Sequence, residues 1–238
     1  MTNGGLYPEI SIVPRKRIEY PGLTIANGDA EKHFDFYDIR MRRYYLDALK
    51  TLLEVKKIEG KVLDIGGGPG VFGMMLCDKT EFTTVVELEQ SGLLVRIGEA
   101  ISSRNGYGSR ISFKIWDDDR LPFADNTFDA VVSLLSLHRW KNPEAIFPEI
   151  ERVRKKDSLA LICDFRRDQA FLPFYTFVQQ IRFAMGKEIA IGLLNSFKAS
   201  YTREEIGEVI KKAGLSDWRL EKNGRLLTAI SPSAVAIE

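Results

Sequence analysis

The sequence predicts an α/β fold: a seven-stranded, mostly parallel, doubly wound sheet with a C-terminal antiparallel hairpin and a helical cap insertion. Three observations predict it. Apolar runs alternate with amphipathic ones from Lys61 to Phe165, the first of those runs ends in a cluster of glycines, and an Asn-Gly pair separates two short strand-like segments near the end. Strands buried on both faces read as continuous apolar runs, which is what helices packed on either side of a parallel sheet require.

The elements follow in order. Pro8, Pro14 and Pro21, with several glycines, hold the first 28 residues extended and deny them helical hydrogen bonds, so this is an arm. From Asp29, a suitable N-cap, the residues Phe34, Tyr37, Met41, Tyr44 or Tyr45, Ala48 and Leu52 recur at helical spacing and form an amphipathic stripe. Residues 1–57 are therefore expected as arm and lid helix, and 58–238 as the main domain. Strands are expected at KVLDIG, TTVVELE, ISFKIW, FDAVVSLLS and LALICDF, with helices near Val71–Asp78, Ser91–Ser103 and Pro143–Val153. Between 165 and 201 the aromatics Phe171, Phe174, Tyr175, Phe177, Phe183 and Phe197 come without a strand signal, giving the cap at about 166–200. A helix over YTREEIGEVIKKAG closes at Gly214, and Asn223-Gly224 turns the final hairpin.

Composition excludes several roles. Lys plus Arg is 34 against 33 for Asp plus Glu, a formal charge of +1, so no global field draws the chain to nucleic acid or an anionic membrane. Cys77 and Cys163 lie in apolar contexts without metal-ligand or disulfide spacing, which fits reduced thiols in a cytoplasm and no metal. The start lacks the layout of a signal peptide, and no apolar run approaches the ~18 residues of a membrane span, so neither targeting nor membrane insertion is expected.

The chemistry concentrates in VLDIGGGPG, residues 62–70, where an apolar strand runs into Gly66, Gly67, Gly68, Pro69 and Gly70 directly before a helix. Glycines there permit a tight turn and let a ligand lie on bare backbone. Glu87, ending the next strand, is placed to grip the two hydroxyls of a ribose, and Asp117 after the third strand to accept from an exocyclic adenine amine.

These stretches resemble the class I S-adenosylmethionine-dependent methyltransferases, and among them the type 11 group. VLDIGGGPG is similar to that family's first motif, VVELEQSG to its second-strand acid, and WDDDRLPFADNTFDAVVSLLSLHRW to the segment around the adenine site and fourth strand. With YTREEIGEVIKKAGL the resemblance spans about 45–231. It implies S-adenosyl-L-methionine as cofactor, with Asp64 and Gly66–Gly70 at the methionine part, Glu87 at the ribose, and Asp117 and Asp118 at the adenine. Leu88 and Trp116 would flank the ring, Ser133 and Leu134 would sit beside the methionine moiety, and Tyr37 would face the cofactor mouth. His138 would stand near the acceptor site as a candidate base. One departure is that Glu87 is followed by Leu-Glu-Gln-Ser, where the family often has an acid, an apolar residue and then Ser-Pro.

The expected reaction is direct displacement of the sulfonium methyl onto a small-molecule acceptor. Alignment and exclusion of water supply most of the catalysis, and a base such as His138 is needed only for an acceptor that arrives protonated. Four other readings stay open at this point: an RNA methyltransferase, a protein methyltransferase, a nicotinamide-dependent oxidoreductase, since Gly68, Gly70 and Gly73 also spell G-x-G-x-x-G, and an inactive cofactor-binding module. Asp64 beside the turn and Pro69 within it disfavour a pyrophosphate. A homodimer is among the assemblies the sequence allows.

Overall fold

The computed structural model describes residues 16–22, 30–55 and 58–232; Asp29 and most of the arm lie outside them. Seven strands form one sheet in the order β3-β2-β1-β4-β5-β7-β6: β1 (Gly60–Ile65), β2 (Thr83–Glu89), β3 (Ile111–Ile115), β4 (Phe128–Leu134), β5 (Arg154–Phe165), β6 (Arg219–Asn223) and β7 (Leu226–Ile230). β7 alone runs antiparallel to its neighbours, so the hairpin turned at Asn223-Gly224 ends an otherwise parallel sheet. The order reverses direction between β1 and β4, and the ligand crevice of an open α/β sheet lies at the carboxyl ends of strands at such a point.

Period-2 alternation sorts the strand residues into two cores. Val62, Ala130, Val132, Leu159 and Leu161 face one side, where they pack against α2 (Arg42–Val55), α3 (Val71–Lys79), α6 (Phe171–Met185) and α7 (Lys187–Ala199). Leu63, Ile65, Val131, Ala160 and Ile162 face the other, under α5 (Pro143–Val153) and α8 (Arg203–Lys212). Each such Val, Leu or Ile side chain, fully buried, contributes about 1.5–3 kcal/mol. Local signals set the helix ends. Ser91 caps α4 (Gly92–Arg104) through the Leu94 amide, Pro143 opens α5, and Thr202 with Glu205 forms a reciprocal capping box on α8.

The expected cap is the helical pair α6 and α7, fastened to the sheet side by Phe174, whose ring stacks on Phe197 with centroids 4.2 Å apart. The N-terminal helix is less regular than its stripe suggested. α1 (Ala30–Asp35) passes into a π-helical segment, Phe36–Met41, before α2 begins. Its i→i+5 bonding brings Phe36 and Met41, five residues apart, onto one face, and both line the same cleft. Both cysteines are buried and unpaired, and burial pushes the Cys163 thiol up to about 12. Among the described residues, no helix is long and apolar enough to cross a membrane and no acid, His and Cys cluster is suited to a metal.

Candidate active site

The glycine turn joins β1 to α3. Gly66 (φ 76°) and Gly70 (φ 77°, capping α3) stand in the left-handed region that favours glycine, and the Gly66 and Gly67 amides donate to the Leu88 carbonyl at 2.7 and 3.2 Å. Below the turn are two carboxyls, not one. Asp64 and Glu87 are opposite each other across β1 and β2 and are 1% and 0% exposed. An added Cβ on Gly67 would come within 1.7 Å of Glu87 Oε2 and 3.0 Å of Asp64 Oδ2, and one on Gly73 within 2.1 Å of Glu87 Oε1. Glycine at 67 is thus a packing requirement imposed from underneath. No N–H or hydroxyl of the described residues reaches either Glu87 oxygen. Burial pushes both acids up: Asp64 to about 7, with the Glu89 charge adding to burial and a hydrogen bond to Glu87 opposing it, and Glu87 well above the carboxylate range, with the Asp64 charge adding to burial, so the pair keeps a proton between them.

Glu87, expected at a ribose, is therefore sealed beneath the turn. The acid at the strand's end is Glu89, two residues on. Its carboxylate accepts from the Gly68 amide (3.1 Å) and the Ser91 amide (2.9 Å), and Arg139 donates to both its oxygens at 3.2 and 3.4 Å. Arg139 also donates to the Gly66 carbonyl at 2.9 Å. Burial alone would lower the Arg139 pKa, but the charge of Glu89 with the Tyr37 and Tyr20 hydroxyls outweighs it and raises it. The spacing held a signal for Glu89: counting back from the N-cap Ser91 places it, not Glu87, at the strand end.

The other expected residues divide into those facing open space and those that only shape it. Gly66, Leu88 and Trp116 share a narrow cleft with Gln90, Ser136 and Arg139. Asp117 and Asp118 lie beside it on a shallow rim with Trp116 and Trp140; Asp117 is exposed, held at 2.9 Å by Lys141 and at 3.2 Å by Gln90. Ser133 is fully buried, and its hydroxyl and that of Ser136 both donate to the Ile65 carbonyl, at 2.8 and 2.7 Å. They pin the end of β1 from below. Leu134 ends β4, and Leu135 after it takes φ 58°, a conformation costing a residue with a Cβ about 1–3 kcal/mol and found mostly where function holds it.

A second, larger cleft of about 570 Å³ opens above the ends of β4 and β5, between the N-terminal helix and α7. Its walls are chiefly apolar, with Phe36, Met41, Leu135, Phe165, Ile189 and Leu193, while Tyr20, Tyr37, His138, Arg139 and Ser196 supply polar edges. Tyr37 also rests its ring 3.5 Å from where a Gly68 Cβ would stand, so it bridges cleft and turn. His138 faces this cleft with its ring held by Asp164 on β5. Sequence reasoning missed Arg139, Asp164 and Tyr20; Asp164 alone had a local signal, as the acid near the carboxyl end of an expected strand.

The family described as Methyltransferase domain matches residues 63–162, the stretch that holds the turn, Glu89 and β4. Among curated proteins, the ubiquinone/menaquinone biosynthesis C-methyltransferase UbiE of Allorhizobium ampelinum is 25% identical over 76% of this chain and 75% of its own length. Among solved structures, an S-adenosylmethionine-dependent methyltransferase from Aquifex aeolicus superposes with a TM-score of 0.62 at 19% identity, covering 87% of this chain and 98% of the other. The plantazolicin methyltransferase BamL, solved with a triazolic desmethylPZN analogue and SAH, gives a TM-score of 0.61 at 17% identity over 81% of this chain and 70% of the other. These matches favour the methyltransferase expectation over the nicotinamide one.

Proposed function

We propose that this chain, an S-adenosylmethionine-dependent methyltransferase, methylates a small, largely apolar molecule seated in the cleft between the N-terminal helix and α7. The observation that carries the reading is Arg139, which lines that cleft while bonding Gly66 and Glu89 on the cofactor side, so two sites meet at one side chain.

The residues present fit the cofactor. In this reading Glu89, fixed by two backbone amides, takes the ribose hydroxyls in the role expected of Glu87. Leu88 and Trp116 hold the adenine ring, and Asp117 accepts from its amine, with Asp118 beside it on the rim. The turn Gly66–Gly70 lies along the methionine part, with Asp64 and Ser133 supporting the backbone from below. When bound, S-adenosylmethionine supplies an electrophilic methyl on a sulfonium that is already a good leaving group. The protein's task is to align the acceptor and exclude water, and proximity alone can supply about 7–11 kcal/mol of barrier. Tyr37 and the cap wall the acceptor in, and His138 stands ready as base.

The UbiE relative acts, by its name, in ubiquinone and menaquinone biosynthesis, which supports a small-molecule acceptor here. Two buried, unpaired cysteines support a reducing cytoplasm. Calorimetric titration with S-adenosylmethionine, S-adenosylhomocysteine and NADH tests the reading. We expect micromolar binding of both sulfur compounds, lost in Glu89→Ala and largely kept in Glu87→Gln; binding of NADH alone would refute it.

A further inference from the structure

Asp164 accepts three N–H groups: the backbone amides of His138 and Phe165, each at 2.7 Å, and His138 Nδ1, at 2.9 and 3.1 Å to its two oxygens. A carboxylate serving as acceptor to two backbone donors assigns the shared proton to Nδ1 and leaves the lone pair on Nε2. Nε2 has no hydrogen bond to a described residue, and the ring lines the cleft. From the arm, Tyr20 meets the ring edge-on with centroids 5.1 Å apart. Arg17 donates to the His138 carbonyl at 3.3 Å and the Ala199 carbonyl at 2.7 Å, lying 4.1 Å over the Tyr201 ring. The imidazole, 3% exposed, is thus fixed by β5 on one side and by the arm on another. A ring held in one tautomer with its lone pair turned into a cleft is arranged for proton removal.

Charge and shape narrow what it deprotonates. Arg139 is the only Lys or Arg among the described residues that line the cleft, and Glu89 already matches it; His33 lines it too, so a carboxylate would find no unmatched guanidinium or ammonium there. A protonated amine would meet Arg139 and a sulfonium in apolar surroundings. A phenol, with a pKa near 10, keeps its proton at neutral pH and presents a flat apolar ring to Leu135, Phe165 and Ile189. We infer that His138 is the base that deprotonates the acceptor, that Asp164 is its positioning residue, and that the acceptor is a neutral, phenol-type hydroxyl compound. The inference rests on the methyltransferase reading above. Nε2 takes the hydroxyl proton as an electron pair of the oxygen forms the bond to the methyl carbon. The carbon–sulfur bond breaks with its electrons going to sulfur, leaving S-adenosylhomocysteine, and the imidazolium returns its proton to solvent.

The test uses the full chain, S-adenosylmethionine, a series of substituted phenols of falling pKa, and thiophenol and benzylamine as probes of matched size. Wild type should methylate phenols in preference to the other two probes, with a rate that falls on the acid side of the imidazole's ionisation. His138→Gln should bind S-adenosylmethionine within about twofold of wild type, lose about a hundredfold or more in kcat on ordinary phenols, lose the acid limb, and recover as the phenol becomes more acidic. Asp164→Asn should move the limb to lower pH, and Asp164→Glu should move it part of the way back. The titratable and charged groups around the ring are Asp164, which bonds it, Tyr20, which meets it edge-on, Arg17 on the His138 carbonyl, and His33, Tyr37 and Arg139, which line the same cleft. An unchanged rate in His138→Gln, a loss equal across the phenol series, or preferred methylation of the thiol or amine would overturn the inference. So would a protein that binds S-adenosylmethionine and methylates no probe. Failure to bind S-adenosylmethionine would instead sink the methyltransferase reading beneath it.

Discussion

Under the glycine turn an added methyl at Gly67 would stand 1.7 Å from Glu87, whereas the cleft over β4 and β5 spans about 570 Å³, its open mouth included. The first region is made of backbone and buried carboxyls at near contact, contributed by two neighbouring strands. The second is made of side chains from the arm, the N-terminal helix, α7 and the ends of two strands. A site for an invariant ligand can be built tightly, because nothing about its occupant changes. A site whose occupant differs between enzymes sharing one fold is built from replaceable walls.

Substitutions that treat the two regions alike should behave differently. Gly67→Ala should have the largest effect: overpacking of about 1–3 kcal/mol, a melting temperature lower by roughly 5–10 °C, and at least tenfold weaker S-adenosylmethionine binding. Adding Glu87→Ala should restore most of both in a double-mutant cycle, and additive losses would mean the two residues do not collide.

The buried acid pair gives the next effect, in pH. Asp64 and Glu87 hold protons in the folded chain that they shed near pH 4 when unfolded, so the folded state binds more protons between about 4 and 7. Their contribution to stability is therefore undiminished below pH about 4 and lost as pH rises toward 7. Glu87→Gln should gain stability over wild type from pH 5 to pH 8, read by thermal melts; parallel melting curves for the two proteins would refute the shared proton.

In the cleft, Ile189→Val should cost only about 0.5–1.5 kcal/mol and leave cofactor affinity unchanged while altering KM for the acceptor. If cofactor affinity fell as well, the two regions would not be separable. Asp117→Asn should have the smallest effect, weakening S-adenosylmethionine binding a few-fold, because this acid is solvent-exposed and already paired with Lys141.

The same contrast explains what could be read from the amino acids. The sheet, the glycine turn and the closing hairpin are short-range matters of periodicity and turn chemistry, and the strands expected from Lys61 to Phe165 correspond to β1 to β5, with β5 starting five residues earlier than expected, at Arg154. Within VVELEQS strand alternation alone could not tell which acid stands above the turn and which below, because both point to the same side of β2; the N-cap Ser91 was the one signal that separated them. The answer depends on where the strand stops. The acceptor side was less legible still. Arg17 reaches the Ala199 carbonyl across 182 positions, and Asp164 reaches His138 across 26, distances over which spacing carries no information. The π-helical segment had no signature either, since Phe34, Tyr37 and Met41 fit an ordinary helix equally well.

That segment bears on how such an enzyme changes over generations. Deleting one codon between Phe36 and Met41 would close the wide turn into an ordinary one, and because that turn absorbs a whole extra residue, the turns on either side would keep their faces. His33 would keep its side of the cleft, and Tyr44, Tyr45, Leu49 and Leu52 theirs on the sheet, while Phe36, Tyr37 and Met41, the cleft walls within the turn, would be re-aimed. A single small lesion could thus exchange one acceptor wall for another without loss of the fold, a route to new substrates that point substitutions reach only in many steps.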